Sequence, residues 1–295
     1  MNTGRSSAKR LLRLAVCLLL LAVAFHSIFL QEGRSAFVRT GGDWEALSTW
    51  ERWGVAWRHG PAGLWQTIGG LRPVDGAWSL VFMGATILLG LLRWRMFLRA
   101  QGLELPVARV AEISLVAHFF NSVLLGSAGG DLMKAYYAAR ETHHLKAESV
   151  TTVVVDRMVG LCVTLLFAAA MMLPNLDLLR AHGRLAAVSG VVLAGLAVAL
   201  AVVGLSFWGG LSRLWPGARG WLLSRLPQAA WLERSLLAAR VYGRRPGLLA
   251  GALGLSVLLN LACVLQIHAL ARGLGHPVPL RPLLVIVPVV IFLSA

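Results

Sequence analysis

The sequence predicts an all-α, polytopic integral membrane bundle with a re-entrant helix or helices, and three observations predict it. Hydrophobic residues make up 57 % of the 295 residues and charged residues only 14 %, against about 25 % charged in a soluble domain. Apolar runs recur along the chain, and the mean hydropathy is +0.71. The placement of arginine then sets a parity that one apolar segment cannot satisfy by crossing. This composition excludes a water-soluble enzyme, a disordered chain and a secreted disulfide scaffold.

The first run covers residues 11–30 behind Arg5, Lys9, Arg10 and Arg13. About 20 apolar residues cross a bilayer. Ala22-Val23-Ala24 has the small-x-small form of a cleavage site, but the run continues through Phe25, Ile28, Phe29 and Leu30. It reads as an uncleaved first span. A second span near 77–92 is closed by Arg93, Arg95 and Arg99. Segment 107–127 is apolar but interrupted by Glu112, His118 and Asn121. Spans at 149–173, 185–208 and 248–271 follow, and then a run at 283–295. That last run is short for a span and reads as a helix cut short, so the chain reads as a fragment. The whole is a single domain over 1–295. It comprises a first span (1–30), an outer tryptophan-rich loop (31–76) and a core (77–295) truncated at its C-terminus.

Basic residues collect on the cytoplasmic side of a membrane. There are 28 Lys and Arg against 13 Asp and Glu, a formal net charge of +15. The basic N-terminus is therefore expected in the cytoplasm and the charge-balanced loop 31–76 outside. Residues 93–109 are inside again. Loop 209–247 carries Arg213, Arg219, Arg225, Arg234, Arg240, Arg244 and Arg245 against Glu233 alone, so it is inside too. Spans 149–173 and 185–208 already supply the two crossings needed between these inner segments. Segment 107–127 should therefore enter the membrane and return, with its backbone packed in protein or lining a wet cavity.

Two loops have amphipathic patterns. Trp44, Leu47, Trp50, Gly54 and Trp57 recur at helical spacing within 43–60, which suits a helix at the outer interface. In 218–243, Leu222, Leu226, Leu232, Leu236 and Ala239 share a face beside arginines, which suits the anionic inner leaflet. A packed connector helix is the alternative for both. The arginine excess points to anionic lipid and not to nucleic acid.

Polar residues at membrane depth are the candidates for function, because each charge at a span centre costs about 2.5–3.5 kcal/mol. Span 149–173 contains Asp156 and Arg157. Adjacent helical residues do not face each other, so each needs its own partner. Ser149, Thr152, Asp156, Gly160 and Thr164 form a small, polar stripe that should face protein or water. A structural ion pair between helices is the alternative role. The second candidate is Asn121, then Gly126-Ser127-Ala128-Gly129-Gly130-Asp131, then Lys134. Asp131 is placed to cap a helix over 132–140. The glycines admit positive φ or close approach, and a glycine-flanked helix N-terminus can hold an anion. An ordinary capped turn is the alternative, since Asp131 uses the same N–H groups and repels an anion.

No catalytic constellation, metal site or cofactor motif is present. Cys17, Cys162 and Cys263 read as small buried hydrophobes, and His143-His144 lacks a carboxylate at ligand spacing. Asp43 and Glu45 are the acids a membrane transferase could place on an outer loop, and they read equally as the start of the interfacial helix.

Asn121, the Gly126–Asp131 block, Lys134-Ala135-Tyr136-Tyr137 and Val155-Asp156-Arg157-Met158-Val159-Gly160 resemble the flippase-like transmembrane domain of the lysylphosphatidylglycerol synthase family. Trp94 and the polar stretch 141–148 fit as well. The resemblance covers the chain from about residue 77. Leu125 stands where many members have proline, and a second glycine-rich block and the soluble aminoacyl-transfer domain are absent. The resemblance implies re-entrant helices and a standalone protein of the bacterial inner membrane. It implies translocation or presentation of an anionic or polyprenyl-linked lipid, not synthase activity. Asn121, Gly126, Ser127, Gly129, Gly130, Asp131, Lys134, Asp156 and Arg157 would then form the headgroup site. The alternatives are a glycosyl or phosphoryl transferase acting on a lipid-linked substrate, and a non-catalytic subunit recruiting a soluble enzyme through loop 209–247.

Overall fold

Long apolar stretches without interior strand signals form helices wherever their backbone groups cannot reach water. The computed structural model of the chain describes residues 3–123, 128–142, 145–181, 183–207, 242 and 245–294. Among them are α1 (Thr3–Arg39), α2 (Thr49–Gly69), α3 (Pro73–Ala100), α4 (Val107–Val123) and α5 (Ala128–Glu141). They continue with α6 (Lys146–Met172), a 3₁₀ turn at Leu173–Asn175, α7 (Leu176–Ala181) and α8 (Gly183–Phe207). The last two are α9 (Pro246–Gly273) and α10 (Leu280–Leu293). No strand occurs among the described residues, so the protein is an all-α bundle. The chain divides into two compact units, Met1–Arg72 and Pro73–Ala295.

In the first unit α1 and α2 cross where small residues let the backbones touch. A Cβ on Gly33 would stand 2.7 Å from Ala56 Cα, and one on Gly60 2.7 Å from Phe29 Cα. The helix expected over 43–60 starts later. Ser48 and Glu51 form a reciprocal capping box: Ser48 N and Oγ donate to Glu51 Oε2 at 2.8 and 2.7 Å. That fixes the start at Thr49. Trp44 therefore lies before the helix, buried against Phe37. Asp43 Oδ1 accepts from Glu45 N at 3.0 Å, and Glu45 pairs with Arg34 at 2.9 Å.

In the second unit α3, the stretch Lys146–Asn175 and α9 are each long and apolar enough to cross a membrane. α9 runs antiparallel to α3. Arg272 at its end donates to Asp75 Oδ1 at the start of α3. Tyr242, just before α9, stacks edge-on against Phe97 near the end of α3. α6 is antiparallel to α3 too, with Trp94 reaching Thr152 and Arg93 reaching Asp156. α10 packs Val285 and Val289 against Leu165, Ala168 and Met172 of α6.

The segment 107–127, predicted to enter and return by itself, supplies one arm only: α4 runs straight through Val107–Val123, and α5, beyond the predicted bounds, is the returning arm of a helical hairpin. At its open end Arg109 of α4 pairs with Glu141 of α5 at 2.5 Å. At its tip Gly130 N donates to Asn121 Oδ1 at 2.7 Å. At about 1.5 Å per residue, the 17 residues of α4 and 14 of α5 fall short of the ~30 Å hydrocarbon core. Leu98, Leu103, Val110, Ala138 and Val153 share one apolar cluster. The end of α3, the open end of the hairpin and the start of α6 thus lie together, and the chain returns to the side it left.

Candidate functional site

Antiparallel packing of α3 and α6 brings two residues, 63 apart in sequence, into a buried ion pair. Arg93 Nε donates to Asp156 Oδ1 at 2.7 Å. Lys134 of α5 donates to Asp156 Oδ2 at 3.0 Å. Each of these three side chains is about nine-tenths buried. The arrangement is extended on both sides. Arg93 Nη1 donates to Ser256 Oγ of α9 at 2.8 Å. The Lys134 ammonium lies 4.4 Å from the Trp94 ring centroid, a cation–π contact that offsets part of its desolvation. Trp94 Nε1 in turn donates to Thr152 Oγ1 at 3.1 Å. One acid therefore ties α3, α5, α6 and α9 together.

The neighbouring residue makes the second pair. Arg157 Nε lies 3.5 Å from Asp131 Oδ2, with both side chains about 30 % exposed. Asp156 and Arg157 thus take separate partners, as their adjacency on one helix requires. The polar stripe of α6 points inward, with Ser149, Thr152, Asp156 and Thr164 all buried. Gly160 gives room for the Arg93 guanidinium, which would lie 3.0 Å from a Cβ there.

These groups line a cavity of about 220 Å³ between α3, α4, α5, α6 and α9. Arg93, Ser114, His118, Asn121, Asp131, Lys134, Asp156 and Arg157 form its polar part. Thr86, Gly90, Leu91, Ala117, Leu259 and Cys263 complete the lining. With His118 neutral, three cations face two acids, a formal charge of +1. Ser114 Oγ in the wall is buried and has no hydrogen-bond partner among the described residues.

Five of the expected site residues, Asn121, Asp131, Lys134, Asp156 and Arg157, line this one cavity. Gly129 and Gly130 are buried at the hairpin tip. Gly126, Ser127, His143, His144 and most of loop 209–247 lie outside the described residues. Three expectations change. Asp131 is not the N-cap, because α5 starts three residues earlier at Ala128; a nearby acceptor on α4, Asn121, takes the Gly130 N–H instead. Gly129 and Gly130 are helical, and the positive-φ glycines among the described residues are Gly41, Gly102 and Gly275. What Gly130 supplies is close approach, since a Cβ there would collide with Ala117 O and Asn121 Oδ1. Arg93 does not close its span, because α3 continues to Ala100 and pairing with Asp156 lets the charge stay inside.

Arg93, Ser114, His118 and Ser256 escaped the sequence reading. A signal for Arg93 existed: Thr86, Gly90 and Arg93 fall at helical spacing, a polar and small stripe running into the arginine cluster. No curated protein and no solved structure matches this chain significantly. The family model for the lysylphosphatidylglycerol synthase transmembrane region matches residues 11–295, so the chain belongs to that family, a membrane protein related to lipid modification or transport.

Proposed function

We propose that this protein translocates or presents a membrane lipid with an anionic, phosphate-bearing headgroup, either a phospholipid or a polyprenyl-linked lipid. The observation that carries the reading is the two-sided lining of the cavity. Leu91, Leu259 and Cys263 provide an apolar side, and a polar side with a formal charge of +1 faces it. An amphiphile with one phosphodiester charge matches both. Arg157 is the cation suited to the phosphate, because its pair with Asp131 is 3.5 Å long with both side chains about 30 % exposed, whereas Arg93 and Lys134 are about nine-tenths buried beside Asp156. A phosphate would replace Asp131 as the partner of Arg157, and charge-assisted hydrogen bonds are worth about 1.5–3 kcal/mol. Asn121, Gly129 and Gly130 shape the hairpin tip, and Gly126 and Ser127, between Asn121 and Gly129 in sequence, complete the proposed headgroup set. The arginine distribution favours a cytoplasmic N-terminus, and the family resemblance a bacterial inner membrane. In the alternative reading of a non-catalytic subunit, a soluble enzyme partner would be recruited through the basic loop 209–247.

The test uses proteoliposomes carrying headgroup-labelled phosphatidylglycerol, with reduction of the label from outside as the readout. The wild type should expose inner-leaflet lipid, and Arg157→Gln should lose about tenfold or more of that rate, as one charge-assisted contact implies. Equal rates for the wild type and a folded Arg157→Gln would overturn the site. Lipid retained without movement would separate presentation from translocation.

A further inference from the structure

α2 has a use that the cavity does not absorb. Over its 21 residues, Trp50, Trp53, Trp57, Trp65 and Ile68 fall inside an arc of about 120° at 3.6 residues per turn. All five are exposed, Trp50 and Trp65 at 77 % each. The backbone contact with α1 lies on the adjoining arc, formed by Ala56, Gly60 and Gly63, and Trp53 and Trp57 at the near edge of the stripe also touch α1. Glu51, Arg52, Arg58 and His59 make α2 too polar to cross a bilayer. Indole rings, apolar with one N–H donor, concentrate at the membrane–water boundary.

We propose that α2 lies in the plane of the membrane surface and binds lipid through this tryptophan stripe, by aromatic packing at the boundary and not by charge. The contact with α1 sets the level. α2 meets α1 at Phe29 and Gly33, where the apolar run 11–30 ends. Leu18, Leu19, Val23, Phe25 and Ile28 of that run are exposed, an apolar surface leading up to the tryptophans. The stripe turns toward that run. Trp57 Nε1 donates to His26 Nδ1 at 3.0 Å, and the His26 ring meets Trp53 edge-on at 4.9 Å. The opposite direction along α1 is polar, with Arg34 on Glu45 and Arg52 Nη2 on Glu45 O. Residues 31–72 hold five arginines against four acids. That near balance leaves little electrostatic attraction to an anionic surface, and apolar contact supplies the binding.

The test is site-directed spin labelling of the full chain in proteoliposomes, one label at a time on a cysteine-free background. Labels at Trp50, Trp65 and Ile68 should be reached by dissolved oxygen in preference to a water-soluble nickel complex. Labels at His59, Ala62 and Gln66 should show the reverse. Neither pattern should change between pure phosphatidylcholine and its mixture with phosphatidylglycerol. The Ile68 and Gln66 labels leave every tryptophan in place, so they decide the matter even if a tryptophan substitution perturbs folding. Nickel access at all six positions would overturn the proposal in favour of a solvent-facing helix. Shielding of the stripe from both reagents would overturn it in favour of a protein partner, and dependence on anionic lipid would overturn the charge-independent binding.

Discussion

Arg93 Nε and Asp156 Oδ1 are 2.7 Å apart across α3 and α6, and the same carboxylate accepts from Lys134 on the α4–α5 hairpin. Burying the three charges is tolerable because each has a partner, and it fixes where the hairpin sits. Removing one member of a buried pair costs about 3–5 kcal/mol, because the remaining charge is uncompensated. Asp156→Asn should therefore lower the thermal unfolding midpoint in detergent far more than Asp131→Asn, whose pair is longer and about 30 % exposed. Equal shifts for the two variants would contradict the central role of Asp156.

Two glycines on the packed neighbours α6 and α9 make a matched comparison. A methyl at Gly160 meets the Arg93 guanidinium at 3.0–3.3 Å, and Arg93 cannot easily move because Asp156 and Ser256 hold it. Gly160→Ala should destabilise by about 1–3 kcal/mol, as overpacking does. A methyl at Gly254 in α9 meets nothing within 4 Å, so Gly254→Ala should be neutral or stabilise by up to ~1 kcal/mol. Thermal unfolding of both variants under identical conditions checks the sign of each.

Gly130→Ala places a methyl against the Ala117 carbonyl and the Asn121 amide. Backbone cannot yield as a side-chain end can, so the hairpin tip should open. The expected result is faster hydrogen exchange in 115–135 with little change in α9. Exchange that stays at the wild-type rate in that segment would show that the hairpin does not depend on this approach.

The capping box of α2 should be acid-sensitive. Hydrogen bonds from Ser48 hold the Glu51 carboxyl below its ordinary 4.5. A lowered pKa means that the contribution is present above the ordinary value and is lost as pH falls through the lowered one. Amide exchange in the first turn of α2 should accelerate as pH drops below the ordinary 4.5, after correction for intrinsic rates. Ser48→Ala should weaken that pH dependence without abolishing it, because the backbone N–H of residue 48 still donates to Glu51.

Much of this was legible in the chain, and the exceptions have physical causes. Asp156 announced itself as a lone acid in an apolar run, and counting crossings between arginine-rich loops required a returning segment, although its bounds of 107–127 stop short of α5, which makes the return. Arg93 was hidden because it stands with Arg95 and Arg99 at the end of an apolar run, where the arginine rule reads it as a flank. Only the antiparallel docking of α3 on α6 shows that it faces inward. The start of α5 was misplaced because Gly129 and Gly130 disfavour helix in isolation, while Asn121, nine residues earlier, caps Gly130 through a tertiary contact. Trp44 had helical spacing to Trp50 and Trp57, but the Ser48–Glu51 box overrides periodicity by starting the helix at Thr49.

The central claim is that the cavity beside Arg157 holds an anionic headgroup, and native mass spectrometry of the protein released from mixed phosphatidylglycerol and phosphatidylcholine bilayers tests it most directly. The wild type should retain phosphatidylglycerol in preference to phosphatidylcholine. Arg157→Gln should lose that preference, while Arg157→Lys keeps part of it. Retention of both lipids alike by the wild type, or an unchanged preference in folded Arg157→Gln, would contradict the claim.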